Sequence, residues 1–433
     1  MNGKIANLVN VLDSKPRIGP MLSENNSLRN FEPRFGFAWD PLSNGKMAIT
    51  GGVGVFHSEV IGRNWYVYAL RQSPWSFLVF LNNPNFPNPF AGVANITTKD
   101  LQNDRIEPDL KTPTMYHYNV NLRSQISRDF AFEIAYVGSR GIHLLRTFES
   151  NTPFPRVLPD GRLFYAPGSP RRNPNFGPIG TLASDSQSVY NSLQTKVSKQ
   201  YSRGLRFQAT YSFSRSIDDA SHLQNGQGNN SAAFSQNPTD RKSDRGLSAF
   251  NISQAFTLNF SYSIPRAQSL KGIASALRND WTFGGLLNAN SGISIDALTG
   301  FSRSGDLSNS VADRPDLKPG MSNNPVLGGP DRYFDPTVFS LPAAGFYGNA
   351  GRNTIIGPGL FTVDFTLAKQ LPVRENHHLD FRFEAFNLLN HANFSIPRNR
   401  IFNAQGAIPG SVGRITATVT SSRQIQMSLR YTF

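Results

Sequence analysis

The sequence has no cysteine among its 433 residues, which excludes disulfide frameworks, zinc–thiolate sites and thiol catalysis. Charge is also scarce, since Asp, Glu, Lys and Arg make up only 17% of the residues. No uninterrupted apolar run approaches the roughly 20 residues that a membrane-spanning helix requires. The chain instead has 36 Gly, 29 Pro and 33 Phe, a composition typical of many strands joined by turns.

The formal net charge of +14 is compatible with nucleic acid, an anionic membrane surface or an acidic ligand. Basic pairs such as Arg171-Arg172 and Arg241-Lys242 are scattered through polar stretches. No basic run follows the pattern that tracks a phosphate backbone. The distribution therefore predicts solvated loop charge and no nucleic-acid partner.

The clearest signal is an alternation of apolar and polar residues with a period of two. Tyr116, Tyr118 and Val120 face one way, while His117 and Asn119 face the other. The alternation recurs along the chain between turn signals, which predicts an all-β fold of about eleven antiparallel strands. These strands lie within residues 35–39, 49–55, 116–126, 130–136, 193–197, 205–213, 256–264, 281–289, 361–367, 379–383 and 425–433.

The charges within these strands all fall on the polar parity. They are Arg123, Glu133, Lys196, Arg206, Asp364, Asp380, Arg382, Glu384 and Arg430. A charge that faces lipid at mid-depth costs about 2–4 kcal/mol, whereas one that faces a wet lumen costs little. The pattern therefore favours membrane-spanning strands of an outer-membrane β-barrel. We expect Arg123, Glu133, Arg206, Asp380 and Arg382 to be lumen-facing polar residues.

Connection lengths alternate between short and long, as they do between the periplasmic turns and outer loops of such barrels. The predicted long connections include 141–189, and a moderate one at 265–280 has helical spacing of Leu270, Ile273 and Leu277. Eleven strands are odd and unclosed, whereas bacterial single-chain barrels have even numbers. We therefore expect residues 31–433 to be the C-terminal part of a larger barrel, with the export signal outside this chain. Residues 1–30 would be an outer loop or partial strand at a truncated N-terminus.

Four runs of residues carry a family resemblance: EAFNLLNHANF at 384–394, YVGSRG at 136–141, YNSLQ at 190–194 and DRKSDRG at 240–246. With these runs the chain resembles the C-terminal barrel of TonB-dependent receptors, particularly the Oar-like receptors with a carboxypeptidase-regulatory-like domain. The resemblance implies a 22-stranded barrel around a plug in the cell outer membrane, which imports a scarce ligand with energy from TonB. No TonB box or plug is recognisable here, so TonB is expected to act through an absent N-terminal plug region.

The C-terminal strand ends in alternating apolar residues, Met427, Leu429, Tyr431 and Phe433. It resembles the signal that the barrel-assembly machinery recognises, through pairing with an exposed strand edge. The alternative interpretation is an ordinary last strand whose Tyr431 and Phe433 lie at the membrane interface.

No motif for catalysis, metal binding or a cofactor is found, so we predict that the chain is not an enzyme and holds neither metal nor cofactor. Basic loop residues are expected to contact lipopolysaccharide, and outer-membrane lipid is the other expected partner. Loop aromatics, among them Trp65, Tyr68 and Trp75, are expected to pack within their loop rather than to stack on a ligand. The alternative function is a secreted, soluble β-rich adhesin or carbohydrate-binding protein, whose alternation would serve a sandwich core.

Overall fold

The computed structural model describes residues 6–8, 18–20, 22, 29–60, 62, 67–68, 85–89, 91, 99, 102–223, 230–308, 313–374 and 377–433. One large sheet dominates it, and eleven strands follow one another along the main path of this sheet. In chain order these are β1 (Arg34–Trp39), β2 (Met47–His57), β3 (Thr114–Ser127), β4 (Phe130–Glu149), β5 (Ile179–Ser202), β6 (Leu205–Asp218), β7 (Gln254–Ser263), β8 (Trp281–Asn290), β9 (Leu360–Arg374), β10 (His377–Phe386) and β11 (Gln424–Thr432).

Short elements supplement this sheet. Gly246–Leu247 pairs with β6, and Asn103–Ile106 pairs in parallel with β5. The other short pairs are Ala6–Leu8 with Ile18–Pro20, Arg156–Val157 with Leu163–Phe164, Ser294–Ile295 with Ile355–Ile356, and Asp316–Leu317 with Phe339–Ser340. Helix α1 spans Gly272–Arg278, where the helical spacing predicted it, and 3₁₀ turns span Arg241–Asp244 and Pro336–Val338. Among the described helices, none has the length and apolarity needed to cross a membrane.

The eleven strands form an antiparallel meander in which each strand pairs with the next. The connections 40–46, 128–129, 203–204 and 264–280 lie at one end of the sheet, where β9 also ends and β10 begins; we call it the turn end. The connections 58–113, 150–178, 219–253, 291–359 and 387–423 lie at the opposite end, which we call the loop end. The sheet is not closed, and β1 and β11 are its edges. The predicted fold class and number of main strands are confirmed.

The pairing register places the predicted apolar residues on one side of the sheet, the apolar face. Val120, Tyr136, Leu193 and Phe213 form one row across β3 to β6. Their exposed fractions are 51%, 46%, 45% and 55%, although all four are large and apolar. No buried apolar cluster of the described residues includes Phe132, Phe207 or Phe381. This face therefore does not form the core of a β-sandwich.

The predicted long connection 141–189 is wrong. β4 continues to Glu149 and β5 begins at Ile179, because pairing between them persists through irregularities near Ser186. This outer part of β5 is buried among loops on both faces, so the sequence there does not alternate. Apolar and polar residues alternate only where one side of a strand meets water and the other meets an apolar environment. Because that condition fails here, the sequence pattern did not predict the outer parts of β4 and β5.

Apolar burial concentrates at the loop end. The largest buried cluster is built by loops 291–359 and 387–423: its members are Ile295, Ala297, Tyr333, Phe334, Val338, Phe339, Ala350, Ile355, Ile401, Phe402, Val412 and Ile415. A second cluster joins Tyr68, Ile106, Leu110 and Leu182. Tyr68 is 1% exposed, which fits the packing role expected for it; Trp65 and Trp75 lie outside the described residues.

Candidate functional site

The side of the sheet opposite the apolar face, the polar face, carries the strand charges. Arg123 on β3 is the cross-strand partner of Glu133 on β4, which is in turn the partner of Lys196 on β5. Asn121 donates from Nδ2 to Oε1 of Glu133 over 3.0 Å. Opposite charges on neighbouring strands stabilise each other by a few tenths of a kcal/mol to about 1 kcal/mol. Arg123 is exposed and Glu133 and Lys196 are half-buried, so the row lies at the surface of the polar face rather than in a buried core.

A second charged group lies on the polar face of β10 and β11. Asp380 is the cross-strand partner of Arg430, and Gln370 donates to Asp380 over 3.1 Å. Arg382 pairs with Glu384 over 2.6 Å, because residues two apart on a strand share a face. The sequence-predicted residues Asp380 and Arg382 thus share the polar face of β10, far along the sheet from Arg123 on β3.

Hollows on the polar face have a basic lining near the turn end. One of about 270 Å³ is lined by Lys46, Arg123, Arg128 and Asp129. Another, of about 320 Å³, is lined by Arg206 with polar neighbours such as Gln208 and Asn259. Both offer hydrogen-bond donors to a polar or anionic solute.

Two buried ion pairs fasten the loops together at the loop end. Arg314 donates to Asp244 over 2.8 Å, and both side chains are 3% exposed. Arg352 donates to Asp218, at the outer end of β6, over 2.7 Å, and to Ser221 over 2.7 Å. A buried charge without its partner is strongly unfavourable, so each pair fixes loop 291–359 against loop 219–253 or β6.

A buried carboxyl group lies beside these pairs. Asp296 is fully buried, and this burial raises its pKa, although Arg314 and Arg352 oppose the shift. Its Oδ1 accepts from the backbone N–H of Asn353 over 3.0 Å, while its Oδ2 is buried without a hydrogen-bond partner among the described residues.

Two further buried acidic groups, Glu149 at the outer end of β4 and Asp306, lie where loop 150–178 meets loop 291–359. Burial raises the pKa of Glu149 to about 7, against backbone N–H donors from Ile179 and Asn151. Burial, together with the nearby Asp313, raises the pKa of Asp306 to about 6. Tyr347 donates to Asp306 over 3.0 Å. The alternation of apolar and polar residues did not reveal these acidic residues. The only signal in the sequence was the presence of acidic residues within long predicted connections.

The basic loop residues differ in how firmly they are held. Arg171 donates to the carbonyl oxygens of Asn151 and Leu307, over 3.2 and 2.7 Å, so it joins two loops. Arg172 stacks on the Phe154 ring, with its guanidinium carbon 4.7 Å from the ring centroid. Arg241 lies 3.6 Å from Asp219. Lys242 is exposed at a 3₁₀ turn and forms no ion pair with a described residue.

The C-terminal residues singled out in the sequence lie on the apolar face at the sheet edge. Met427, Leu429, Tyr431 and Phe433 are 67%, 66%, 51% and 87% exposed. The Tyr431 hydroxyl lies 2.8 Å from Nδ1 of His377 at the turn end. The free edge of β11 therefore presents backbone groups together with a large apolar surface.

Chemically, the molecule offers binding surfaces more than a reaction centre. No group of three or more His, Asp or Glu residues that could hold a metal ion occurs in the described part of the chain. The wall presents polar groups in water on one face, and the loop end presents a packed rim. Such an arrangement offers hydrogen-bonding groups to a polar solute.

Comparisons with known proteins agree with this geometry. Residues 7–426 match the family described as outer membrane beta barrel domain. The outer membrane transporter YddB from Escherichia coli aligns with a TM-score of 0.50 and 13% identity, over 98% of this chain and 42% of that one. A variant of the ferric enterobactin receptor PfeA from Pseudomonas aeruginosa aligns with a TM-score of 0.47 and 10% identity, over 93% and 40%.

The chain thus spans about two fifths of the length of these solved structures. At such low identity the first likeness shows the fold alone. No curated protein matches the chain.

Proposed function

Because this chain belongs to the outer membrane beta barrel domain family and lies in the cell outer membrane, we propose that it forms part of a TonB-dependent receptor. Its strands are the wall, and its long loops select a scarce ligand for uptake. The role is not enzymatic. The family resemblance carried by residues 384–394 and 136–141 favours the Oar-like kind.

The observation that carries the proposal is the separation of the two faces along eleven strands. Large apolar residues remain exposed on one face, as in the row of Val120 and Leu193, while charged residues such as Glu133 share the other. Water would disfavour so much exposed apolar surface, whereas hydrocarbon favours it. We propose that the polar face lines a wet lumen, with Arg123, Glu133, Arg206, Asp380 and Arg382 along it.

The two sheet edges support a larger barrel. β1 and β11 both run from the loop end to the turn end, so pairing them with each other would make a parallel seam. An antiparallel barrel requires an odd number of additional strands between them, and eleven would complete 22. Unpaired edge groups in lipid would cost several kcal/mol each. We propose that residues 31–433 are the C-terminal part of such a barrel, with residues 1–30 next to its missing strands.

Energy coupling in this proposal comes from TonB through an N-terminal plug region outside this chain. The loop end is the outer side, and the turn end faces the periplasm.

The β11 edge supports a role in assembly. We propose that the barrel-assembly machinery recognises Met427, Leu429, Tyr431 and Phe433, since a free strand edge with apolar side chains suits strand addition. Phe433→Ala should then lower the amount of protein in the outer membrane, whereas Phe386→Ala, at the loop end of β10, should not. Equal levels of both variants would contradict this role.

Contact with lipopolysaccharide through the basic loops is best assigned to Arg241 and Lys242. Arg171 is held by two loop carbonyl groups, so neutralising it would disturb loop packing rather than lipid contact alone.

Transport can be tested without a known ligand. The spent culture medium of the wild-type bacterium is compared by untargeted mass spectrometry with that of a strain lacking this gene and a strain lacking TonB. The proposal predicts a solute that the wild type depletes and that both mutants leave in the medium. A solute profile that is the same in all three strains would contradict uptake.

A further inference from the structure

Basic residues on the apolar face occur at both ends of the sheet. The two ends differ in how fully the protein itself satisfies the hydrogen bonds and charges of these residues. At the turn end, Lys199 is bonded to Asp129 and Ser202. Lys369 donates to the carbonyl oxygen of Asn279 over 2.8 Å and lies 4.6 Å from the centroid of the Trp281 ring. Both turn-end lysines are therefore satisfied by the protein itself.

The loop-end counterparts are Arg140 on β4 and Arg215 on β6. The register places both on the apolar face, because Arg140 pairs with Tyr116 and Val189, and Arg215 pairs with Asn191. Both are exposed, and neither forms an ion pair among the described residues. Arg140 donates only a long bond, 3.3 Å, to the side-chain oxygen of Gln187.

Between the two arginines lies a polar group that is arranged to donate. Asn191 Oδ1 accepts from the hydroxyl groups of Tyr118 and Tyr136, over 3.1 and 2.7 Å. These two bonds fix the amide, so its Nδ2 group is left to donate, and no acceptor for it is found in the described residues. Between the turn end and the irregularity at Ser186–Ser188, the residues of this face on β3 to β6 include no Asp or Glu, and Asp185 beyond it pairs with Arg146.

The spacing suits one headgroup. Arg140 on β4 and Arg215 on β6 are separated across the sheet by two inter-strand spacings, about 10 Å. Along the strand direction they are offset by two residues, about 7 Å. Arginine side chains can converge over this separation, with Asn191 between them. Below the three donors the face is apolar, with Val120 and Phe213 exposed.

We propose that Arg140, Asn191 and Arg215 bind the phosphorylated headgroup of lipopolysaccharide where the apolar face ends at the outer leaflet. Guanidinium groups suit phosphate because they donate in a planar fork. The headgroup supplies the acceptors that the protein lacks here, and the acyl chains cover the apolar rows below. The inference rests on the proposed function in one respect, that the loop end is the outer side.

The test uses the complete barrel that contains this chain, extracted from outer membranes, and lipopolysaccharide as the probe, with native mass spectrometry as the readout. The variant is R140Q/R215Q, and the matched control is R203Q/R278Q, which removes the same charge from exposed positions at the turn end. We expect about 30-fold weaker binding for R140Q/R215Q, equivalent to about 2 kcal/mol, since each basic residue near an anionic surface contributes about 1 kcal/mol. The control should bind like the wild type.

Two further arms separate the causes. Lipopolysaccharide stripped of phosphate should bind the wild type as weakly as intact lipopolysaccharide binds R140Q/R215Q, and R140K/R215K should recover most of the affinity. Equal binding by R140Q/R215Q and the wild type, equal loss in the control, or indifference to phosphate would each overturn the proposal.

Protease added to intact cells checks the orientation independently. Cleavage in loop 291–359 is expected if the loop end is outside. Protection of this loop, with cleavage only after the outer membrane is opened, would overturn the orientation in the proposed function and this inference with it. External cleavage combined with phosphate-independent binding would overturn this inference alone.

Discussion

The strand wall, formed by the paired rows of β1–β11, and the loop end use the same residue types in opposite ways. On the wall, large apolar residues such as Val120 are exposed, and the Arg382–Glu384 pair is half open to solvent, with exposed fractions of 55% and 19%. At the loop end, Phe334 is fully buried, and the Arg314–Asp244 pair is 3% exposed on both sides. The strand wall is therefore suited to lipid on one face and water on the other, whereas the loop end is packed like a water-soluble domain.

The largest expected effect compares the two kinds of ion pair. Asp244→Ala leaves the Arg314 guanidinium buried without its carboxylate, which should destabilise the loop end by about 3–5 kcal/mol. Glu384→Ala, on the exposed wall pair, should cost no more than about 1 kcal/mol. Hydrogen exchange of peptides from loop 291–359 and from β10 measures both. Similar costs for the two variants would remove the distinction between the regions.

The next effect compares the two faces of the wall at one height. Leu258 lies on the apolar face and the adjacent Asn259 on the polar face, where it pairs with Gln208. Leu258→Arg should destabilise the folded barrel in lipid vesicles by about 2–4 kcal/mol, because the guanidinium would meet hydrocarbon. Asn259→Arg should have little effect. A larger cost for Asn259→Arg would mean that the faces are assigned the wrong way round.

The smallest expected effect concerns pH and is confined to the loop end. The pKa of Glu149 rises from 4.5 in the unfolded chain to about 7, so the folded state retains the proton in this window. Stability contributed by the protonated group is therefore present below the unfolded pKa and is lost as pH rises toward 7. Between about pH 5 and about pH 7 the loss is about 2 kcal/mol for this group. Asp306, with a pKa near 6, acts in the same direction.

Hydrogen exchange in loop 150–178 at several pH values should show this loss, and Glu149→Gln should abolish most of it. Exchange in β7 should change far less. Protection that increases toward neutral pH would contradict the assignment of Glu149 as a carboxyl group held protonated by burial.

The wall could be predicted from the sequence because its physics is periodic. A strand with lipid on one side and water on the other must alternate between apolar and polar residues. The sequence alone therefore predicts which face of the sheet carries Val120 and which carries Arg123. The same rule predicted about eleven strands, and the main path of the sheet has eleven. Where the two-solvent condition ends, after Gly141, the rule failed and the outer halves of β4 and β5 were missed.

The loop end could not be predicted because its contacts join residues far apart in sequence. The Arg352–Asp218 pair joins residues 134 positions apart, and nothing local to either residue specifies the other. The role of Asn191 was hidden for a similar reason, since an amide on the apolar face makes sense only beside the hydroxyls of Tyr118 and Tyr136. Even among the loop aspartates the partners differ, since Asp244 pairs with Arg314 whereas Asp306 accepts from the Tyr347 hydroxyl.

The central claim is that the apolar face meets hydrocarbon while the polar face meets water. Since the chain has no cysteine, single cysteines at residues 131–136 can carry a spin label in the protein embedded in lipid vesicles. Labels at 132, 134 and 136 should collide mainly with oxygen dissolved in the bilayer, and labels at 131, 133 and 135 mainly with a water-soluble nickel complex. Uniform accessibility to the nickel complex along all six positions would contradict the account.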